Sequence, residues 1–251
     1  MKYLKQGLLV CVALLGLVGC SSNHHKISEV ISFGISAEYP PFEYMEKGVL
    51  KGFDIELAQL IGKELKKKVV FEHLQFNGIF ASVQSGFVDA GISTITVTKE
   101  RQENFDFSQS YYVESLAMLY PDDKPLQNPL QFHGKKVACQ LGTTMELWLK
   151  SHAATAEIIT FDTNPQAVEA LKAGHVDGVL IDTIQGKTFM KKNLGLGCSV
   201  IAQSDDGYAV CVKKDSPLKH EINQALKSLQ DSGLMDALKK KWLEGKVCSN
   251  F

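Results

Sequence analysis

Of the 27 Lys and Arg side chains in this 251-residue chain, 26 are lysine and one, Arg101, is arginine. It closes the stretch Ser93-Thr94-Ile95-Thr96-Val97-Thr98-Lys99-Glu100-Arg101, which follows an apolar run at 89–92. A planar guanidinium meets a carboxylate with two parallel hydrogen bonds, a fit that lysine's point charge does not offer. If the stretch is extended, Thr94, Thr96 and Thr98 share one side. Thr98, three residues before Arg101, also has the form of a helix start whose free amides favour anions. A structural ion pair of Arg101 with Glu103 or Asp106 is the competing use. Asp182 carries the complementary charge. It follows Val179-Leu180-Ile181, so it emerges at the end of a buried strand, where an ammonium is its natural partner and capping of the next helix the alternative. Gly142-Thr143-Thr144, after an apolar run at 137–140, offers amides and hydroxyls to a second carboxylate oxygen. Tyr39 and Phe76, expected in loops after strands, can stack on an aliphatic or guanidinium group, although single aromatics serve equally in a core. The seven histidines are scattered, no nucleophile has an adjacent base, and no Cys/His spacing suits zinc. No catalytic residue, cofactor or metal is expected.

These groups need a scaffold that brings strand ends together. From about residue 27 the chain alternates short apolar strands (30–35, 69–74, 89–92, 137–140, 158–161, 176–181) with helical stretches (54–67, 78–86, 144–151, 165–174, 182–192), the pattern of mostly parallel α/β domains. Residues 217–245 read as two helices divided near Ser232-Gly233. Residues 81–92 and 169–180 echo each other as helix, glycine stop, Val-Asp turn and buried strand. The echo predicts two lobes of similar topology, with ligand contacts beyond the strands' carboxyl ends. Extended segments at 113–120 and 207–213 would cross from one lobe to the other and back. The expected division is therefore 27–114 plus 208–251 for a discontinuous first lobe and 115–207 for the second.

The N-terminus has Lys2 and Lys5, an apolar run at 7–18, and then Leu17-Val18-Gly19-Cys20 before a polar stretch. That is the order of a cleaved secretory signal over 1–19, too short to span a bilayer. The Leu-Val-Gly-Cys end resembles a lipobox, which implies a lipidated Cys20, a tether over 20–26, and a periplasmic or cell-surface location held to the membrane through the lipid only. Loss of the signal leaves 25 basic against 28 acidic side chains. The basic clusters are short and helical, so no nucleic-acid partner is expected. Four cysteines remain beyond Cys20. Cys139 and Cys211 lie in apolar strand-like runs and suit buried thiols, and Cys198 with Cys248 is a conceivable disulfide.

Six segments, in this order, resemble the solute-binding proteins of polar amino-acid ABC transporters, in the branch serving arginine, lysine, ornithine and histidine. They are Tyr39-Pro40-Pro41-Phe42-Glu43, Gly52-Phe53-Asp54-Ile55, Thr94-Ile95-Thr96-Val97-Thr98-Lys99-Glu100-Arg101, Phe107-Ser108-Gln109-Ser110-Tyr111-Tyr112, Leu141-Gly142-Thr143-Thr144 and Asp177-Gly178-Val179-Leu180-Ile181-Asp182. The resemblance covers 27–245. It implies an α/β two-lobe Venus-flytrap fold, each lobe a mixed, mostly parallel sheet flanked by helices, with two crossover strands as the hinge. It implies a monomer that hands a free amino acid, arginine first, to the transporter's membrane subunits. Lysine, ornithine, histidine and glutamine remain open, as does an enzyme built on the same scaffold. By the same resemblance, Arg101 and Thr144 bind the ligand carboxylate, and Thr94, Thr96 and Asp182 bind its amino group. Tyr39 and Phe76 sandwich the side chain, whose far end lies near Ser36, Glu38, Ser93 and Gln140. Thr96 stands where many relatives have serine. Ser36 stands where some basic-ligand relatives have aspartate, which leaves Glu38 as a candidate for the distal charge.

Overall fold

The computed structural model describes residues 29–203 and 207–244. The signal, Cys20, the tether and Cys248 lie outside the described residues. Two five-stranded mixed sheets organise the chain. The first runs in the order Lys68–His73, Val30–Ile35, Ala90–Gly91, Cys211–Lys213, Phe105–Phe107. The second runs Glu157–Phe161, Lys136–Gln140, Gly178–Asp182, Leu116–Pro121, Leu196–Ala202. In each, the first three strands are parallel and the last two add antiparallel pairings. Strands buried on both faces need continuous apolar sequence, and Gly178–Asp182 is buried along its whole length.

The echoed segments fold alike. Helices Phe76–Ser85 and Asn164–Lys172 are each followed by a left-handed glycine, Gly86 (φ 75°) and Gly174 (φ 73°), which turns the chain toward its strand. The Asp89 carboxylate accepts from the Ser32 amide (2.8 Å) and hydroxyl (2.7 Å), and the Asp177 carboxylate accepts from the Lys136 amide (2.8 Å). Each aspartate thereby pins the turn to the neighbouring parallel strand. This is why the strand expected from residue 176 begins at Gly178: Val176 and Asp177 belong to the joint.

Two antiparallel segments, Tyr112–Val113 and Gly207–Tyr208, pair between the sheets. The C-terminal helices Leu218–Asp231 and Leu234–Lys239, divided at Gly233, pack on the first lobe's helix Phe53–Glu64. Phe33, Phe42 and Phe53 fill the main core of this lobe, and Phe132, Val137, Leu149 and Leu180 belong to a core of the other.

Two expectations are corrected. Phe76 is not in a loop but opens the helix Phe76–Ser85, because the extended Gln75 serves as its N-cap two residues earlier than the pattern suggests. Tyr39 lies in a short strand, Glu38–Tyr39, of a three-stranded meander with Glu43–Glu46 and Val49–Lys51. Pro40-Pro41 hides that strand by removing the donors a strand would use. Cys139 and Cys211 are buried free thiols, and Cys198 pairs with no cysteine among the described residues; its expected partner, Cys248, lies outside them. Among the described residues no helix is long and apolar enough to cross a membrane.

Candidate functional site

The carboxyl ends of the parallel strands of both lobes face one largely enclosed cavity. All eleven residues singled out in the sequence line it. So do Thr143, part of the Gly142-Thr143-Thr144 turn already singled out, and Glu43, Met145 and Asn164, which the sequence did not mark as site residues. The cleft is closed: Arg101 of the first lobe donates to the Gly142 carbonyl of the second (3.0 Å), and Tyr39 of the first donates to Asp182 of the second.

Arg101 sits on the short helix Lys99–Asn104, whose N-cap Thr98 accepts from the Arg101 amide (3.2 Å). Its guanidinium also donates to the Thr96 carbonyl (2.6 Å) and lies over the Phe80 ring at 4.8 Å and the Phe76 ring at 5.7 Å. No carboxylate of the described residues pairs with it. Asp106 instead joins Lys214 and Lys219, which removes one of the competing partners. Burial pulls the guanidinium's pKa down to about 10, which still leaves it charged at neutral pH. A desolvated cation without a counter-charge is costly unless something else supplies one.

Opposite it, the Gly142 turn comes close to the first lobe. Gly142 has φ 78°, and a Cβ there would lie 3.2 Å from that of Asn77. Its amide is taken by Glu146 (2.8 Å), and the Thr143 hydroxyl by the Gln140 carbonyl (2.7 Å), so of this turn's groups the first-turn amides of the helix Thr144–His152 and the Thr144 hydroxyl, which makes only a weak contact with the Met145 sulfur (3.7 Å), are the ones an anion can take.

Asp182, 6% exposed, has no cationic partner among the described residues. Burial pushes its carboxyl up to about 7, against the pull of neighbouring tyrosine hydroxyls. Beside it, Thr94 holds a left-handed backbone (φ 47°) because its amide is captured by Asp54 (2.8 Å), which leaves its carbonyl and hydroxyl for a ligand. Asp54 also accepts from the Tyr111 hydroxyl (2.9 Å) and faces Glu43, which in turn accepts from Ser93 (2.8 Å). Burial raises both carboxyls, and mutual repulsion keeps a proton on the pair. Ser93, expected near a ligand, has its hydroxyl spent on this framework, since it also accepts from the Ser36 amide (3.0 Å).

At the far end, Glu38 has a buried carboxylate oxygen with no donor, and burial raises its pKa. Gln140 lines the same end, but its amide is consumed: it donates to the Asp162 carbonyl (2.9 Å) and accepts from Asn164 (3.2 Å). Tyr39 is tied through its hydroxyl to Asp182, and Phe76 shares a ring face with Arg101.

Fold and site together define a two-lobed binding protein that encloses a small polar solute between its strand ends. The chain belongs to the bacterial extracellular solute-binding proteins, family 3, whose profile matches residues 31–245. It is 32% identical to the arginine-binding extracellular protein ArtP of Bacillus subtilis, over 96% of this chain and 99% of that one. Among solved structures it resembles an ancestral arginine-binding protein bound to arginine (TM-score 0.83, 34% identity, 86% of this chain, 98% of that one). It matches equally well an ancestral arginine-binding protein bound to glutamine (TM-score 0.83, 34% identity, 86% and 99%).

Proposed function

We propose that this chain captures a free L-amino acid, arginine foremost, outside the cytoplasm and delivers it to an ABC importer, held to the membrane through a lipidated Cys20. One observation carries the reading: two opposite charges, the half-buried Arg101 and the buried Asp182, line one cavity, and neither forms an ion pair among the described residues. An amino acid supplies both, its carboxylate to Arg101 and Thr144 and its ammonium to Asp182, Thr94 and Thr96. Glu38 adds a second negative group at the far end, and Glu43 is neutralised by sharing a proton. One fixed positive charge against two negative ones complements a ligand of net charge plus one, which fits arginine, lysine or ornithine. Tyr39 and Phe76 wall the cavity where an aliphatic or guanidinium chain would run. Three or four charge-assisted hydrogen bonds at roughly 1.5–3 kcal/mol each, less the cost of ordering, support about micromolar affinity.

The similarity to a protein solved with glutamine favours one second reading, in which a protonated Glu38 receives a neutral amide. Calorimetry of the mature protein against the twenty amino acids plus ornithine tests both. Arginine should bind most tightly. Binding no tighter than about millimolar by every amino acid would end the proposal. Mass spectrometry of protein taken from membranes should find the acyl groups on Cys20; an unmodified, freely released chain would refute the anchor.

A further inference from the structure

Asn164 is the first residue of the helix Asn164–Lys172 and is 4% exposed at the far end of the cavity. Its amide nitrogen is fully employed: it donates to the Gln140 side-chain oxygen (3.2 Å) and to that of Gln185 (2.9 Å). Both acceptors are themselves buried, and Gln140 is oriented in turn by its donation to the Asp162 carbonyl (2.9 Å). Gln140, fixed by Asp162, determines which way the Asn164 amide must point, because the reverse orientation would set oxygen against oxygen there. The Asn164 carbonyl oxygen is thereby turned from this network, and no group of the described residues donates to it. The helix packs across the cleft on the strand Glu38–Tyr39, and the field of Asp162 reaches Glu38. Asn164 and the unpartnered Glu38 oxygen therefore meet at the same end of the cavity, one from each lobe.

We propose that Asn164 is a specificity-determining residue whose amide oxygen accepts from an N–H group at the tip of the ligand's side chain. This rests on the amino-acid-binding reading above. A guanidinium has several N–H donors in one plane, enough to serve the Glu38 carboxylate and the Asn164 carbonyl together. An ammonium on a shorter chain reaches fewer acceptors. A carbonyl at the ligand's tip would meet oxygen on both sides, and a site of buried acceptors rejects it strongly. The second lobe thus reads the ligand's tip with a neutral acceptor whose orientation is built into the fold, while Glu38 supplies the charge.

Arginine and citrulline have the same chain and differ at the tip, where citrulline carries an oxygen in place of a nitrogen. Binding of both, together with alanine as a probe too short to reach Asn164, is to be measured on the wild type, Asn164→Leu and Asn164→Asp. Asn164→Leu should weaken arginine about tenfold or more and leave alanine unchanged. Asn164→Asp keeps an acceptor and adds charge, and Gln185, whose amide nitrogen has no partner, can turn to donate to the new oxygen, so its preference for arginine over citrulline should widen by about tenfold. Should the leucine variant fail to fold, the aspartate variant alone decides. Arginine affinity within threefold of wild type in a folded Asn164→Leu, or an unchanged arginine-to-citrulline ratio in Asn164→Asp, overturns the assignment. Failure of the wild type to bind any amino acid would overturn the proposed function instead.

Discussion

The two lobes share a plan but carry opposite charges to the cleft. In each, three parallel strands end at the cavity, a left-handed glycine turns the helix into the third strand, and an aspartate pins that turn to its neighbour. The first lobe then contributes a half-buried guanidinium, Arg101, and the second a buried carboxylate, Asp182. Each is held across the cleft by a neutral dipole of the other lobe, the Gly142 carbonyl for Arg101 and the Tyr39 hydroxyl for Asp182. Neutral partners position these charges without cancelling them. The similarity is thus confined to the scaffold, and the difference lies at the strand ends, where a zwitterion would bridge the lobes and stabilise closure.

Removing either pole breaks the comparison most severely. Arg101→Ala leaves a ligand carboxylate desolvated and unpaired, which costs about 3–5 kcal/mol. Amino-acid affinity should fall by roughly 10²- to 5 × 10³-fold in a calorimetric titration. Arg101→Lys should recover only part of it, since the fork is lost. Retained affinity in Arg101→Ala would mean that the carboxylate binds elsewhere. Asp182→Asn keeps the shape and removes the charge, so a loss of about tenfold to 10²-fold is expected, smaller because Thr94 and Thr96 still offer oxygens to the ammonium.

Protonation sharpens the same contrast. Burial holds the Asp182 carboxyl near about 7 in the free protein, and an ammonium beside it would lower that value. Binding near pH 6 must therefore release a proton, and affinity should rise with pH, by at most about tenfold per unit, until it levels above about 7. Titrations in two buffers of different ionisation enthalpy count the proton; Asp182→Asn should release none. Stability runs the other way. Asp182, Glu43 and Asp54 keep protons in the folded protein that the unfolded chain loses near pH 4, so their contribution declines as pH rises from about 4 to about 7. A thermal midpoint of the ligand-free protein that climbs steadily over that window would contradict the buried carboxyls.

Both poles were legible in the sequence because each stands out locally: Arg101 is the sole arginine, and Asp182 ends an unbroken apolar strand. The paired topology was legible because glycine stops and Val-Asp turns recur with the same spacing. Asn164 was not, since its role depends on Gln140 and Gln185, 24 and 21 residues away in the chain, which meet it only when the second sheet is assembled. Nor was the Glu43–Asp54 pair. Glu43 sits in a meander strand that Pro40-Pro41 disguises, and the Asp54 side chain captures the Thr94 amide from a helix 40 residues earlier. Ser93 shows the converse: its type and place suit ligand binding, yet its hydroxyl is spent between Ser36 and Glu43.

The smallest expected effect tests whether the shared scaffold is a physical joint rather than a coincidence of sequence. Asp89 accepts two hydrogen bonds from Ser32, whereas Asp177 accepts one from Lys136 and adds an ion pair with the exposed Lys135 at 3.7 Å. An exposed pair at that distance contributes little, so the backbone hydrogen bond is the common element, at about 1 kcal/mol. Asp89→Ala and Asp177→Ala should each lower the thermal midpoint by roughly 2–4 °C, Asp89→Ala by somewhat more. Because the two joints lie in different lobes and share no partner, the losses should add in the double variant. Arginine affinity should be unchanged in all three, since neither aspartate lines the cavity. A loss at one joint without the other would show that the lobes fold alike while relying on different contacts to do so.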